Sequence, residues 1–379
     1  KRVKEESLDC KYFGECGACR VYEGGYEAQL HAKVVLNQER FSHFTQKKIE
    51  VFPSKTSHYR SRSEFKIWHE ADGAIEYAMN SLEKGKVVFV RECPQVSLAI
   101  AALMPKLLHV IKEAEIDFKL FGVDFLSSTK GEVAVSLLYH RRLDDVWHVK
   151  ASKIAEDLGI SIIGRSRGQK IVIGSDFVME HLSIAGESYR FKYIENSFTQ
   201  PNASVNEKMI EWSLRGLEDT SKDLLELYCG AGNFTIPFAK KFRKVLATEI
   251  SKSSINAAKE NMELNGVSNI AFVRMSVEEF VQALDKVREF NRMKGIEIED
   301  YEIETIFVDP PRSGMDTDSC KFAARYKQII YISCNPQTLQ RDLEILCQTH
   351  EIAEIALFDQ FPYTHHAEMG VKLLRKGVS

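Results

Sequence analysis

The second half of the chain alternates short apolar runs with amphipathic stretches. Apolar runs of about five residues predict buried strands, and the amphipathic stretches between them predict helices. The predicted strands are Asp223–Leu227, Lys244–Thr248, Ile270–Arg274, Glu304–Val308 and Gln328–Ile332, with helices such as Ser253–Leu264 and Pro336–Cys347 between them. Two closing strands, about Ile352–Phe358 and Met369–Leu374, are predicted to form an antiparallel pair. The alternation favours a doubly wound, mostly parallel sheet.

The first 200 residues have a different pattern. Residues 1–24 are polar and rich in Cys and Gly, and a helical stripe follows from about Tyr26 to Phe44. Short apolar runs then predict a mixed domain with strands at Glu64–Trp68, Val87–Val90, Val133–Tyr139 and Ser161–Ile163 and a helix at Gln95–Ala114. We therefore predict three parts: a Cys-rich segment at 1–24, a central mixed domain at 25–200 and an α/β domain at 201–379.

Composition narrows the class of protein. The 379 residues are 44% hydrophobic and 28% charged, an ordinary globular balance that excludes a disordered or fibrous chain. No apolar run approaches the roughly 20 residues that span a bilayer, and the first residues lack the apolar stretch of a secretory signal. We expect a soluble cytoplasmic protein without membrane contact. Residue 1 is Lys rather than Met, which leaves room for a short leader before it. The net charge of −3 means that any affinity for nucleic acid must come from local patches.

A glycine pair follows the first predicted strand of the α/β domain. Gly230 and Gly232 allow a tight turn and a close backbone approach to a ligand, and Glu249 ends the next strand. The third glycine of a dinucleotide-binding loop is missing, because Thr235 stands in its place. The pattern therefore favours S-adenosylmethionine, a nucleoside ligand without phosphates, over the cofactor of a nucleotide-dependent oxidoreductase. An ordinary strand–helix turn is the plainer alternative.

Two later strand ends carry reactive side chains. Asp309 follows one strand and is held by Pro310 and Pro311, while Cys334 follows the next and is placed to act as a nucleophile. A stiff surface turn at Asp309 and a structural cysteine at Cys334 are the plainer alternatives. Glu368 lies at the start of the last strand and is a candidate acid or base. The neighbouring His365 and His366 have no third ligand at a usual spacing, so we do not expect a metal there.

These residues belong to longer motifs that resemble the tRNA (uracil-5-)-methyltransferases, within the wider group of RNA uracil-5 methyltransferases. The resemblance runs from about Tyr26 to Leu374. Its motifs are Glu195–Asn202, Leu225–Gly230, Phe307–Gly314, Ile332–Pro336 and Phe358–His366. The last of them, together with Ser57–Arg60, looks like the tRNA branch rather than the ribosomal-RNA branches.

The resemblance implies an α/β fold class: a C-terminal Rossmann-like methyltransferase domain, a mixed α+β central domain and a short Cys-rich N-terminal segment. It implies S-adenosylmethionine as methyl donor, bound by a set comprising Gln200, Tyr228, Gly230, Gly232, Asn233, Glu249 and Asp309. Cys334 becomes the nucleophile and Glu368 the proton acceptor in C5 methylation of uridine 54 in the T-loop of tRNA. No obligate protein partner is implied.

The N-terminal cysteines form a second signal. Cys10, Cys16 and Cys19 lie in a glycine-rich loop, and Cys93, followed by Pro94, is a distant fourth. Four such thiolates suit an iron–sulfur cluster, and we favour a 4Fe–4S cluster over zinc, which more often uses two CxxC pairs. The spacing resembles the iron–sulfur motif of ribosomal-RNA members of the group, and this keeps a ribosomal-RNA uridine open as an alternative substrate.

Basic and aromatic residues interleave in one segment of the central domain. Tyr59, Arg60, Arg62 and Phe65 have the composition of a surface that stacks and neutralises RNA, and we predict RNA contacts there. Further cationic positions are Arg141 and Arg142, and a group formed by Arg165, Arg167 and Lys170. An RNA-folding or RNA-binding protein with secondary catalysis is the remaining alternative.

Overall fold

A computed structural model describes residues 10–19 and 24–377. Its helices are α1 Gly25–Phe41, α2 Leu98–Glu113, α3 Asp145–Leu158, α4 Ala203–Leu214, α5 Thr235–Ala239, α6 Lys252–Leu264, α7 Val277–Leu284, α8 Thr317–Ala323 and α9 Pro336–Leu346. The strands of its first half are β1 Glu50–Phe52, β2 Arg62–His69, β3 Ile75–Asn80, β4 Val87–Phe89, β5 Leu120–Ser127, β6 Val133–Tyr139, β7 Ser161–Ser166, β8 Gln169–Ile173, β9 Phe177–Ile184 and β10 Glu187–Ile194. Those of its second half are β11 Asp223–Leu227, β12 Lys244–Thr248, β13 Ile270–Val273, β14 Ile303–Val308, β15 Gln328–Ser333, β16 His350–Phe358 and β17 Glu368–Arg375.

The central region is built on a seven-stranded sheet in the order β4-β3-β2-β5-β6-β7-β8. All its neighbouring strands are antiparallel except β6 and β7, which run parallel because α3 crosses between them. Helices α2 and α3 pack their apolar faces on this sheet, with Leu107 and Trp147 fully buried. The predicted helix and strands of this region are confirmed, although β3, β5, β8 and α3 were not predicted from the sequence.

The C-terminal half is built on an eight-stranded sheet in the order β1-β16-β17-β15-β14-β11-β12-β13. Strands β11 to β15 are parallel, and β17 lies antiparallel between β15 and β16. The five predicted strands and the closing antiparallel pair are confirmed, and with them the Rossmann-like fold class. In the described part of the chain, no helix is both long and apolar enough to cross a membrane.

Residues from the start of the chain complete this C-terminal sheet. Strand β1 adds a parallel edge to β16, with Glu50 opposite Ala356 and the ring of Phe52 stacked 4.8 Å from that of Phe358. Helix α1 packs on the same core. The three-part division at residues 24 and 200 stays a prediction, and α1 and β1 belong by their contacts to the sheet of the last part.

The Cys-rich segment packs on the central sheet. Cys16 forms an isolated antiparallel β-bridge with Ser81 through the backbone, and the backbone N–H of Gly17 donates to the carbonyl of Asn80 at 2.8 Å. A Cβ atom at residue 17 would lie 2.8 Å from that same oxygen, so only glycine permits the approach. Residues 10–19 are thereby tied to the end of β3.

Candidate active site

The chemistry-bearing residues follow the parallel strands of the C-terminal sheet. Tyr228, Glu249, Asp309 and Cys334 are each the first residue after a strand, namely β11, β12, β14 and β15. Because these strands are parallel, their carboxyl ends meet along one edge, where ligands bind in open α/β sheets. Glu368 joins them from the opposite direction: Ser333 pairs with Met369, which brings Glu368 opposite Cys334.

The glycine loop after β11 is shaped by left-handed backbone conformations. Tyr228, Gly230 and Gly232 have φ values of 63°, 54° and 87°, a region that glycine adopts readily and tyrosine rarely does. The carboxylate of Glu249 accepts the N–H of Gly230 at 3.1 Å and the N–H of Ser251 at 2.8 Å. Each carboxylate oxygen retains a lone pair for a ligand hydroxyl. Burial raises the pKa of Tyr228 to about 12, so this phenol stays protonated.

The loop is also tied to the start of α4. The side-chain amides of Asn233 and Asn206 donate to each other's oxygens, both at 2.9 Å. Gln200 is buried just before Asn202, the N-cap of α4. Asn206 was not predicted, although a polar residue on the buried side of a helix was a signal that could have found it.

Two acidic groups, Asp309 and Glu368, influence the nucleophile candidate Cys334. Burial raises the pKa of both Asp309 and Glu368, and the charge of Asp309 raises the pKa of Glu368 further. Burial and these two carboxyls together raise the pKa of Cys334 to about 11, opposed in part by the charge of Arg312. In the free protein the site therefore holds a protonated thiol beside carboxyls that resist ionisation.

Glu226 is a further buried carboxyl, with no role predicted from the sequence. It lies within β11, where its Oε2 atom is buried without a hydrogen-bond partner among the described residues. Burial, and to a lesser extent the charge of Asp309, raises the pKa of Glu226 well above its usual value. The sequence signal that could have identified Glu226 is a glutamate between two apolar residues, Leu225 and Leu227, of a buried strand.

Helix α9 fixes the loop that carries Asp309 and Arg312. Arg341 donates to the carbonyls of Ser313 and Met315 at 3.0 and 2.6 Å, and Asp342 accepts the N–H of Met315 at 2.9 Å. The N-cap residue Asn335, next to Cys334, donates to the carbonyl of Arg312 at 3.1 Å. The loop that carries Asp309 and the loop that carries Cys334 are thus joined through one helix.

Helix α1 fixes the segment that leads to Glu368. The buried ammonium of Lys33 lies 2.6 Å from Asp359 Oδ1 and donates to the carbonyl of Phe361 at 2.9 Å. Gln29 donates to Asp359 Oδ2 at 3.1 Å and accepts the N–H of Tyr363 at 3.1 Å. The segment between β16 and β17 is therefore held at several points from a helix more than 300 residues earlier in the chain.

The four N-terminal cysteines come together. Cys10, Cys16, Cys19 and Cys93 line one cavity of about 450 Å³, and all four are free thiols. Burial raises the pKa of each, and the charges of the other three raise the pKa of Cys19 further. Gln95 donates to the sulfur of Cys19 at 2.7 Å. Among residues 10–19 and 24–377, no three His, Cys, Asp or Glu side chains form a group that could hold a metal ion as they stand.

The segment predicted to bind RNA lies beside that cavity. The side chains of Tyr59 and Phe65 are only 7% and 4% exposed, so neither ring has a free face for a nucleotide, and the expectation of stacking there is corrected. Phe65 points into the protein interior because β2 alternates buried and exposed positions. Tyr59 lies before β2, and its hydroxyl donates to the carbonyl of Pro362 at 3.4 Å. Arg60 and Arg62 are half-buried, and Arg62 donates to the carbonyl of Ser197 at 2.6 Å.

The sheet order, the glycine loop facing an acidic strand end and the antiparallel closing strand define a Rossmann-like methyltransferase. Residues 25–376 match the family described as tRNA (Uracil-5-)-methyltransferase. The chain belongs to this family, which confirms the resemblance seen in its motifs.

Individual relatives cover nearly the whole chain. It is 68% identical over 369 residues to a tRNA/tmRNA (uracil-C(5))-methyltransferase of Sulfurimonas denitrificans, a match that covers 97% of this chain and 100% of the relative. It is 50% identical over 374 residues to a protein of the same name from Aliarcobacter butzleri, covering 97% and 99%. Among solved structures, the tRNA (uracil-54, C5)-methyltransferase of Pyrococcus abyssi in complex with S-adenosyl-L-homocysteine shares the fold, with a TM-score of 0.69, 24% identity and coverage of 92% and 84%.

Proposed function

We propose that this protein methylates C5 of a uridine in tRNA, namely uridine 54 of the T-loop, with S-adenosylmethionine as methyl donor. The observation that carries the proposal is the placement of Cys334 opposite Glu368, beside Asp309, at the ligand-binding edge of the sheet. The names of the relatives, which specify tRNA and tmRNA, support the same substrate class. Such an enzyme works in the cytoplasm and needs no obligate protein partner.

The methyl donor fits the strand ends that lie beside these residues. Glu249 has lone pairs left for ribose hydroxyls. Apart from its chain neighbours, no described residue lies within 4 Å of a Cβ position at Gly230, which leaves room for a ligand against the backbone. Gln200, Tyr228, Gly232, Asn233 and Asp309 complete the proposed binding set. The sulfonium of the donor supplies the electrophilic methyl group.

The proposed reaction begins at C6, because C5 of uracil is too weak a nucleophile to accept a methyl group directly. The Cys334 thiolate forms a bond to C6, which gives C5 the character of an enolate carbon. C5 then takes the methyl group, and the donor leaves as a neutral thioether. Glu368 accepts the proton of C5, the bond between C6 and the Cys334 sulfur breaks, and the uracil double bond returns.

The raised pKa values suit these roles. Once Glu368 is ionised, its raised pKa makes the carboxylate a stronger base for removal of the C5 proton, and the positive charge of a bound sulfonium favours that ionised form. The thiol, by contrast, must lose its proton before it can attack. A positive sulfonium near Cys334 favours the thiolate. We therefore expect binding of the methyl donor to lower the pKa of Cys334, which burial and the two carboxyls raise.

The substrate is tested by transfer of labelled methyl groups to unmodified transcripts. We expect label on a whole tRNA, loss of that label when the T-loop uridine is changed to cytidine, and none on a ribosomal-RNA fragment. We expect Cys334→Ala to abolish transfer and Glu368→Gln to accumulate a covalent protein–RNA adduct. Label on ribosomal RNA alone, or appreciable turnover by Cys334→Ala, would contradict the proposal.

We also propose that Cys10, Cys16, Cys19 and Cys93 hold a 4Fe–4S cluster. Two observations support this: all four thiols line one cavity, and the side-chain amide of Gln95 donates to the sulfur of Cys19. Hydrogen bonds to cysteine sulfurs adjust the reduction potential of iron–sulfur clusters. The iron ions would stabilise the thiolates that burial disfavours. The cluster would pin the N-terminal segment to the central sheet.

This site is tested on protein purified without air. We expect iron, acid-labile sulfide and broad visible absorption, all lost in Cys19→Ser and retained in Cys347→Ser, which changes a thiol outside the cavity. A colourless, iron-free wild-type preparation would overturn the proposed cluster.

A further inference from the structure

The hairpin formed by β9 and β10 belongs to neither large sheet. In the described part of the chain, its two strands pair only with each other. Helix α4 packs against β9 and helix α6 against β10. The buried rings of Tyr189 and Phe191 place the hairpin in the same apolar core as Phe234, which follows the glycine loop. The proposed function has so far given this β9–β10 hairpin no part.

Helix α6 holds the hairpin through two asparagines that lie one turn apart. Asn265 accepts the N–H of Arg190 at 3.0 Å and donates to the carbonyl of Arg190 at 2.7 Å. Asn261 accepts the N–H of Lys192 at 2.7 Å. The spacing fits because four residues of a helix rise about 6 Å and two residues of a strand span about 6.7 Å. The two side chains thus satisfy backbone groups along the edge of β10.

Asn261 also contacts the glycine loop. Its side-chain Nδ2 donates to the carbonyl of Ala231 at 3.0 Å, and Ala231 lies between Gly230 and Gly232. The Asn261 side chain is fully buried. A backbone N–H can only donate and a carbonyl can only accept, so a residue between them must do both, as an amide does and a carboxylate does not. Asn261 therefore joins the glycine loop to the hairpin by one buried side chain.

Helix α4 makes a similar connection on the other side of the hairpin. Glu207 accepts the N–H of Ser183 in β9 at 2.7 Å. The residue before it, Asn206, exchanges hydrogen bonds with Asn233 at the end of the glycine loop. The glycine loop is thus held by two helices that both contact one hairpin.

We propose that Asn261 is a positioning residue for the methyl donor, because it fixes the carbonyl of Ala231 and with it the shape of the glycine loop. The proposal rests on the proposed methyl donor and adds to it a residue outside the binding set. Tyr228, Gly230 and Gly232 all have left-handed φ values, a shape that a freed loop leaves easily. Donor binding must then order the loop again, which costs conformational entropy. Asn261 thus acts on affinity for the donor and not on the chemical step.

The test compares two variants of Asn261 with a matched variant of Asn265. Asn261→Asp keeps the acceptor for Lys192 and loses the donor to the glycine loop. Asn265→Asp makes the same chemical change one turn later, where the lost donor served only the contacts of α6 with itself and with β10. Asn261→Ala removes both hydrogen bonds without adding a charge. The probe is S-adenosyl-L-homocysteine, measured by calorimetry without RNA, because it lacks the sulfonium charge that an added carboxylate would attract.

We expect both Asn261 variants to bind S-adenosyl-L-homocysteine about tenfold more weakly than the wild type, the scale of one lost hydrogen bond. Asn265→Asp should bind it as the wild type does. In methyl transfer, the KM for S-adenosylmethionine should rise by the same factor in the Asn261 variants, with unchanged kcat and unchanged KM for tRNA. A merely structural role would lower stability without this division between the two substrates.

The outcomes separate this inference from the proposed function. No binding of S-adenosyl-L-homocysteine by the wild type would overturn the proposed methyl donor itself. Wild-type affinity in both Asn261 variants would overturn only the role of Asn261. Equal weakening in Asn265→Asp, or loss of the folded circular-dichroism spectrum in both Asn261 variants, would show a general structural role for α6 and would also overturn the inference.

Discussion

Cys334 lies in surroundings that oppose its own ionisation. Its pKa is raised to about 11 by burial and by the neighbouring carboxyls of Glu368 and Asp309. The residue type and its place after a strand were visible in the sequence. The acidic surroundings were not, because they arise only when β17 lies antiparallel to β15.

We predict that removing both carboxyls lowers the pKa of Cys334. In Asp309→Asn/Glu368→Gln, alkylation of this thiol near pH 8 should accelerate by about tenfold for each unit by which its pKa falls. Iodoacetamide labelling of individual peptides, followed by mass spectrometry, measures this. Cys347 is an internal control, because burial raises its pKa to about 11 without any contribution from this acid pair. Equal acceleration at both thiols, or none at Cys334, would contradict the electrostatic account.

The buried carboxyl of Glu226 should make the free energy of unfolding depend on pH. Its pKa in the folded protein is raised by burial, so its contribution to stability is fully present below the ordinary glutamate pKa and is lost as the pH rises through the folded value. Glu226→Gln should therefore match the wild type at pH 4 and become increasingly more stable than it at higher pH. The gain is at most about 1.4 kcal/mol per pH unit.

Urea unfolding of the free protein at several pH values measures this difference. Glu289→Gln, at an exposed glutamate, is the matched control and should show no such trend. A constant difference between Glu226→Gln and the wild type across the pH range would show that the carboxyl is not held protonated by burial.

At the scale of elements, the sequence predicted the parallel strands well because each is a short apolar run between turns. Asp223–Leu227 and Lys244–Thr248 are found with the predicted bounds. Strand β1 was missed because three residues carry no periodic signal. The buried ion pair between Lys33 of α1 and Asp359 was missed for another reason. The two residues are 326 positions apart, and local sequence patterns do not predict contacts over such a separation.

We predict that this ion pair holds the segment before Glu368. Lys33→Met leaves the Asp359 carboxylate buried without its cation, which should lower the free energy of unfolding by about 3–5 kcal/mol. Methyl transfer should fall as well, because Lys33 also holds the carbonyl of Phe361. Lys86→Met, at an exposed ion pair with Glu83, should change neither quantity measurably. Unfolding at an unchanged urea concentration in Lys33→Met would contradict this role.

At the scale of the whole molecule, the alternation of apolar runs and amphipathic stretches predicted a doubly wound half and a mixed half. Local sequence patterns could not predict that an early segment of the chain packs on the last sheet. Residues 25–52 precede the central sheet in sequence but pack on the C-terminal one, where β1 forms its edge and α1 covers its core. The cationic positions of the central domain were likewise visible only as separate residues, whereas the turn after β6 and the β7–β8 hairpin bring four arginines to one cavity.

This packing predicts that residues 201–379 do not fold normally alone. Without α1 and β1, the edge of β16 and the apolar surface under Tyr26, Leu30 and Phe41 are exposed to water. We expect such a fragment to aggregate or to unfold without a cooperative transition, as seen by circular dichroism during heating. A fragment that unfolds cooperatively at the temperature of the whole chain would show that α1 and β1 are dispensable.

The central claim is that Cys334 forms a covalent bond to C6 of the T-loop uridine and that Glu368 then accepts the proton from C5. The most direct measurement uses a tRNA carrying 5-fluorouridine at that single position, because fluorine cannot leave C5 as a proton does. We predict a stable protein–RNA complex that forms only with S-adenosylmethionine, survives denaturing electrophoresis and maps by mass spectrometry to the peptide containing Cys334. A methylated RNA released without any adduct, or an adduct on another residue, would contradict the account.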